Sequence, residues 1–141
     1  MKNRRLLVTM VSLGIVCSLS FGVLIIHVTG ADPQKGNIYA TLATSPTEYQ
    51  DVMKHQPPVH KNVLAPKPPI DWVIKNLSTG NVVVVLFQDE NGNGKLDSNF
   101  LGIPIEKYAF SKQARGLVGP PSFEAAMVWV TANSQTTVNL Q

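Results

Sequence analysis

Apolar residues along this chain fall into short runs of strand length, separated by segments rich in Gly, Pro, Asn and Asp. Gly22 to Thr29 is β-branched and ends on Gly30, which predicts a strand over about 22–29. Ile38, Ala40 and Leu42 alternate with Tyr39, Thr41 and Ala43, predicting a second over about 37–44. Ser45-Pro46-Thr47-Glu48 sets a Ser N-cap, Pro at the first helical position and Glu two further on, so a short helix should run to about Lys54. Pro57, Pro58, Pro66, Pro68 and Pro69 exclude helix or central strand between His55 and Pro69, although Val63-Leu64 can touch a sheet edge. Ile70 to Leu77 and Asn81 to Gln88, joined through Ser78-Thr79-Gly80, read as a hairpin. The unbroken Val82 to Phe87 run predicts a strand covered on both faces. Strands over about 125–131 and 136–140 complete the set, and Trp72 and Trp129 fall inside strands, as core or half-buried residues. Residues 89–121 read as one long ordered connection. Many strands and one short helix predict an all-β, two-layer β-sandwich.

Composition allows a single domain of 141 residues. The formal charge of +3 suggests a nucleic-acid binder only until its distribution is read. Lys2, Arg4 and Arg5 precede the first apolar run, and from Phe21 onward nine bases balance nine acids. No basic stripe remains to displace counterions from a phosphate backbone, which excludes nucleic acid as a partner. Lys2 to Arg5, the apolar Leu6 to Cys17 and the small residues of Ser18-Leu19-Ser20 make the three parts of a secretory signal over residues 1–20, leaving one domain over 21–141. The destination expected is periplasmic or extracellular. Apolarity resumes after Phe21, so Leu6 to Val28 is also long enough for an uncleaved anchor, the one route to the membrane considered. A cut after Gly30 or Ala31 would delete the first strand. Cys17 is the only cysteine and lies inside the signal, so the exported chain would carry no disulfide. Val16 before it argues against lipidation.

The chemistry of the chain concentrates in Asp89-Glu90-Asn91-Gly92-Asn93-Gly94-Lys95-Leu96-Asp97. Oxygen-bearing side chains stand at the first, third, fifth and ninth positions, with Gly94 at the sixth. Calcium needs six to eight hard oxygen ligands, and a glycine at the sixth position turns such a loop sharply enough to converge them. On that template Asp89, Asn91, Asn93 and Asp97 offer side chains and Lys95 its carbonyl. Phe100 stands where a bidentate acid would be, so any affinity belongs to the weak extracellular class of about 10⁻⁴–10⁻³ M. The competing reading is a turn stabilised by Asx hydrogen bonds, with glycines at positive φ.

The same loop, followed by Asn99-Phe100-Leu101-Gly102-Ile103-Pro104, Glu106, Tyr108, Phe110-Ser111, Ala114-Arg115-Gly116 and Gly119-Pro120-Pro121-Ser122-Phe123-Glu124, resembles the bacterial DUF2141 family. Val28-Thr29-Gly30 and Lys35-Gly36 to Leu42 are similar to its first two strands. The resemblance implies export and a sandwich akin to immunoglobulin or transthyretin-like modules, and implies no known reaction. Gln88 stands where the family has a histidine, and Lys107, Ala109 and Lys112 replace a Gly, Gly and Asn.

Catalysis finds little support in the sequence. Glu106, Glu124 and Glu90 are available carboxylates, but sequence alone does not place any two at the separation that glycoside chemistry needs. His55 and His60 sit in or beside the proline-rich stretch, and no histidine follows Ser111 or Ser122 to complete a serine–acid–histidine order. Tyr108, Phe110 and Phe123 with Arg115 can line a groove for a sugar ring or a peptide, or can pin the long connection to the sandwich. The reading adopted is a cell-envelope binding or structural module, not an enzyme, with calcium as its cofactor and an envelope ligand or protein as its partner. A small hydrolase-like envelope enzyme using carboxylates around the same loop is the alternative.

Overall fold

A computed structural model describes residues 20–55 and 62–141. The residues expected to form the signal, Cys17 included, together with Pro57, Pro58 and His60, lie outside the described residues. Among the described residues, eight strands form two sheets. The first holds β1 (Phe21–Thr29) between β4 (Ile70–Ser78) and β8 (Asn133–Asn139). The second is ordered β3 (Asn62–Leu64), β2 (Ile38–Ala43), β5 (Gly80–Gln88), β6 (Tyr108–Phe110), with β7 (Val128–Val130) pairing the start of β5. Strand pairing is antiparallel except between β1 and β8, which run parallel from Val23 opposite Asn133 to Thr29 opposite Asn139.

Side chains of period two explain the layers. Leu24, Ile26 and Val28 of β1, with Ile70 and Trp72 of β4 and Val138 of β8, meet Ile38, Ala40, Val82, Val84 and Leu86 of the larger sheet in one core. Full burial of such a side chain stabilises by about 1.5–3 kcal/mol. The other face of β5 also carries apolar residues, and α1 (Pro46–Lys54) and α2 (Phe123–Ala126) cover part of it. Tyr49, Phe123 and Ala126 pack there on Ala43, Val83 and Phe110. Helix α1 starts where its cap predicts: the Ser45 hydroxyl accepts from the Glu48 amide, and the Glu48 carboxylate accepts from the amide and hydroxyl of Thr44.

Three expectations change. The segments 70–77 and 81–88 do not form a hairpin: β4 bonds to β1 and β5 to β2, in different sheets. A tight turn in sequence fixes that two strands are joined, not that they bond edge to edge. Here Gly80, at φ 151, a conformation open to little but glycine, takes the chain across the sandwich, so that Trp72 and Val82 belong to opposite walls of the core. The segment 89–121 is not one connection, because β6 and the turn of 3-10 helix at Ser111–Gln113 lie within it. The strand expected over 125–131 is split, with Ala125 and Ala126 in α2, and Trp129 is 65% exposed because three-residue β7 lies at the margin of the sheet.

On the outer face of the smaller sheet, His27 of β1 bonds Asp71 of β4 through Nδ1 (2.7 Å) and Gln135 of β8 through Nε2 (3.4 Å). The bond to Asp71 and then that to Gln135 raise the His27 pKa above its ordinary 6.5. A histidine whose pKa is raised on folding contributes stability that is full below the unfolded value and is lost as pH rises through the folded value. The melting temperature should therefore fall as pH rises through this window. The fall should shrink in Asp71→Asn, with NMR titration of the His27 ring as the direct check.

Candidate functional site

Beyond Gln88 the chain leaves the larger sheet and folds into a loop governed by two buried carboxylates. Asp89, 2% exposed, accepts from Gly92 and Asn93 amides at Oδ1 (both 3.0 Å) and from the Gly94 amide at Oδ2 (2.8 Å). Three N–H groups thus face one carboxylate, which sets the turn. Gly94, at φ 79, supplies the left-handed step. The Asn91 side-chain Oδ1 accepts from the Asn93 backbone amide, and the Asn93 Oδ1 from the Lys95 backbone amide, as two successive Asx turns. Their NH₂ groups both donate to Asp97 Oδ2, at 2.6 and 2.8 Å.

Asn91, Asn93 and Asp97 thus meet through their side chains, whereas Asp89 is bonded to a different set of donors, the backbone amides of Gly92, Asn93 and Gly94. Among the described residues, no three His, Cys, Asp or Glu side chains gather to hold a metal ion. The side chains of the expected ligand set, two carboxylates and two carboxamides, each accept hydrogen bonds from within the loop.

Glu106 is the second carboxylate, 7% exposed, and it lies across the base of the loop. Its Oε1 accepts from the Glu90 amide (2.8 Å) and its Oε2 from the Asp97 amide (2.9 Å), so one side chain holds both ends of the turn. Both oxygens are spent on the backbone. Glu90 instead pairs with Lys35 at 3.3 Å, and Glu124 is exposed in the first turn of α2. Gln88 performs a similar task on the other side. Fully buried, its amide donates to the Asp32 and Gly36 carbonyls and accepts from the Asp32 N–H. Gly36 has to be glycine, because a Cβ there would stand 1.9 Å from the Asp89 carbonyl oxygen.

Beside this loop runs an apolar groove of about 710 Å³, within the usual range for ligand sites. Its floor is Val85 and Phe87 of β5 with Tyr108 and Phe110 of β6. Val52 and Met53 of α1 bound one side. Two loops complete the walls, one contributing Leu96, Leu101 and Ile103, the other Leu117 and Val118. The first is rigidly built: the Asn99 carboxamide oxygen accepts from the Leu101 and Ile103 amides, and the Ile105 amide donates to the Asp97 carbonyl. The second is tied down by Tyr49, whose hydroxyl donates to the Pro121 carbonyl at 2.8 Å and whose pKa is pushed by burial up to about 12. That phenol stays neutral and donating through the ordinary pH range.

Of the aromatic set singled out in the sequence, Tyr108 and Phe110 line the groove. Arg115 lies over the Tyr108 ring, 5.2 Å from its centroid, and bonds the Gln141 side chain. Phe123 lies instead in the core beneath α1, against Tyr49. The loop aliphatics escaped the sequence reading, although their signal was present: Phe100-Leu101-Gly102-Ile103-Pro104-Ile105 and Leu117-Val118 are apolar runs in stretches without strand period. His55, the other sequence candidate described, is exposed at the end of α1 and bonds the Asp51 carbonyl.

Two sheets sharing one core, with a groove over the outer face of the larger, define a small two-layer β domain. The chain belongs to the family described as "Uncharacterized protein conserved in bacteria (DUF2141)", matched over residues 26–139. No curated protein and no solved structure matches it.

Glu106→Gln tests the clamp. The new NH₂ group must face one of the two amides it replaces as acceptor, leaving a buried donor unpaired at a cost of about 1–3 kcal/mol. A lowered melting temperature is expected, with faster amide exchange at Glu90 and Asp97, and unchanged exchange at both would show that the clamp is not needed.

Proposed function

We propose that this protein is an exported cell-envelope binding module that takes an apolar ligand in the groove between α1, β5–β6 and the two loops. The observation that carries this reading is the groove's composition: a rigid sheet floor and two braced loops present aliphatic and aromatic side chains, with Ser98 and Tyr108 as the polar groups among them. Sites for small molecules are concave and mostly apolar, with a few placed polar groups. The competing enzyme reading loses its best candidate, because both Glu106 oxygens are engaged by backbone amides. Export rests on the cationic and apolar start of the chain. Because 21–29 is the middle strand of a sheet, cleavage near Phe21 preserves it, and N-terminal sequencing of envelope-fraction protein should read Phe21 first. The same proposal places the domain among immunoglobulin or transthyretin-like sandwiches, for which the two facing sheets are the support.

Binding of a fluorescent fatty acid tests the groove. Ser98 lines it and is exposed, so Ser98→Trp should fill it and weaken uptake roughly tenfold or more without lowering the melting temperature. Equal uptake by wild type and variant would remove the groove as the site.

A second reading keeps the Asp89 loop as a weak calcium site, and one observation favours it. Asp97 Oδ2 lies within hydrogen-bonding reach of the side chains of both Asn91 and Asn93, so three of the five expected ligands already meet. Turning the two amides would present their oxygens to a cation beside Asp97, at the cost of the Asx turns, which is consistent with weak affinity. Asp89 and the Lys95 carbonyl complete the proposed set. Millimolar calcium should raise the melting temperature of wild type and not of Asp97→Ala, and a wild-type melt indifferent to calcium and chelator would end this reading.

A further inference from the structure

Arg115 brings a cation to the groove from two directions. Its guanidinium carbon stands 5.2 Å from the centroid of the Tyr108 ring, which is part of the groove floor, and the next residue, Gly116, lines the wall. Several contacts hold it there. Gly116 has to be glycine, because a Cβ would stand 2.3 Å from the Gly119 carbonyl oxygen, where the loop folds back on itself. On the other side the Ala114 amide donates to the carbonyl of Ser111, whose buried hydroxyl accepts from the Val84 amide and donates to the Ala126 carbonyl. Gln141 supplies the last contact. It pairs main chain to main chain with Tyr108, and its side-chain oxygen accepts from Arg115 Nη2 at 2.5 Å. That bond leaves most of the guanidinium N–H donors unspent. Among the described residues, no carboxylate forms an ion pair with Arg115. The surrounding chain does not set the sign of the site, since residues 89–119 carry four acids and four bases. What it offers an anion is local: one positioned fork of N–H groups beside an apolar cavity.

We propose that Arg115 is the head-group residue of the groove, which takes an amphiphile with an aliphatic tail and an anionic head, a carboxylate or a phosphate ester. The tail lies over Val85, Phe87 and Phe110, and the head is bonded by the Arg115 fork. This rests on the groove reading and adds to it the class of ligand. Two arguments select such a ligand. The guanidinium presents paired N–H bonds that match the oxygens of a carboxylate or phosphate. An apolar groove by itself disfavours a charged head against a neutral one, because the charge loses water and gains no partner. A preference for the anion therefore needs a cation fixed beside the groove, and Arg115 is held in place before any ligand arrives.

The test titrates the full chain with dodecanoic acid, dodecyl phosphate and dodecanol, matched in tail and different in head, by displacement of a neutral fluorescent probe at a pH where both acids are ionised. Wild type should bind one or both anions more tightly than the alcohol by roughly three- to tenfold, and Arg115→Gln should reverse that order. Ser98→Trp should weaken all three, which places their tails in the groove. The stronger of the two anions then names the head as carboxylate or phosphate. Alcohol bound as tightly as both anions in wild type, or an anion preference that persists in Arg115→Gln, would overturn the head-group role and leave the groove standing. Equal weakening of anions and alcohol in Arg115→Gln would overturn it too, by making Arg115 a residue of the wall. Uptake of none of the three, or uptake indifferent to Ser98→Trp, would remove the groove reading itself.

Discussion

Two backbone amides, those of Glu90 and Asp97, converge on the carboxylate of Glu106, and the geometry of the site follows from that contact. Glu106 is itself placed by the sheet: the Gln88 amide bonds the Lys107 carbonyl, continuing the β5–β6 ladder one step past its last named pair. The ladder thus delivers a carboxylate to the point where the chain departs into the loop. With both ends of the turn fixed there, Asp89 can gather three amides from inside, and Leu96 and Ser98 leave the loop pointed along the groove wall. A loop with its polar groups satisfied from within can leave its apolar side chains outward.

The groove itself has a simple geometric origin. Helix α1 has nine residues, about 13 Å of length at the helical rise, whereas nine-residue β5 extends about 30 Å. The helix, with α2, covers the stretch around Val83 and leaves Val85 and Phe87 for the loops to surround. A sheet buried on both faces has to be covered by something. Here one part of the cover is packed core and the other is open to a ligand.

Much of the frame was legible because it rests on local rules. The Ser45 cap, the alternation in β2 and the double burial of Val82 to Phe87 follow from side-chain chemistry and period, and the structure places them so. The partnering of β4 and β5 was not legible, since a short turn serves a corner as well as a hairpin and only the packing of Trp72 against the far wall decides between them. Nor was the role of Glu106, because a carboxylate nine residues after Asp97 gives no local sign that it bonds backward to it. Phe123 and Tyr108, both aromatic, separate into core and groove, Phe123 against Tyr49 and Tyr108 under Arg115. Such assignments belong to tertiary contact, which sequence period does not encode.

The parallel pairing of β1 with β8 sets a condition on the order in which this molecule can be assembled. The first described strand cannot acquire its second neighbour until the last one exists, more than a hundred residues later. Contacts so distant in sequence demand closure of a long loop before they return any stabilisation, and slow the approach to the native state. A growing chain can bring β2 and β5 together early, but the smaller sheet stays incomplete until the final strand arrives. The domain is therefore built to wait: it becomes whole late, as one unit, with its two ends closing the structure between them.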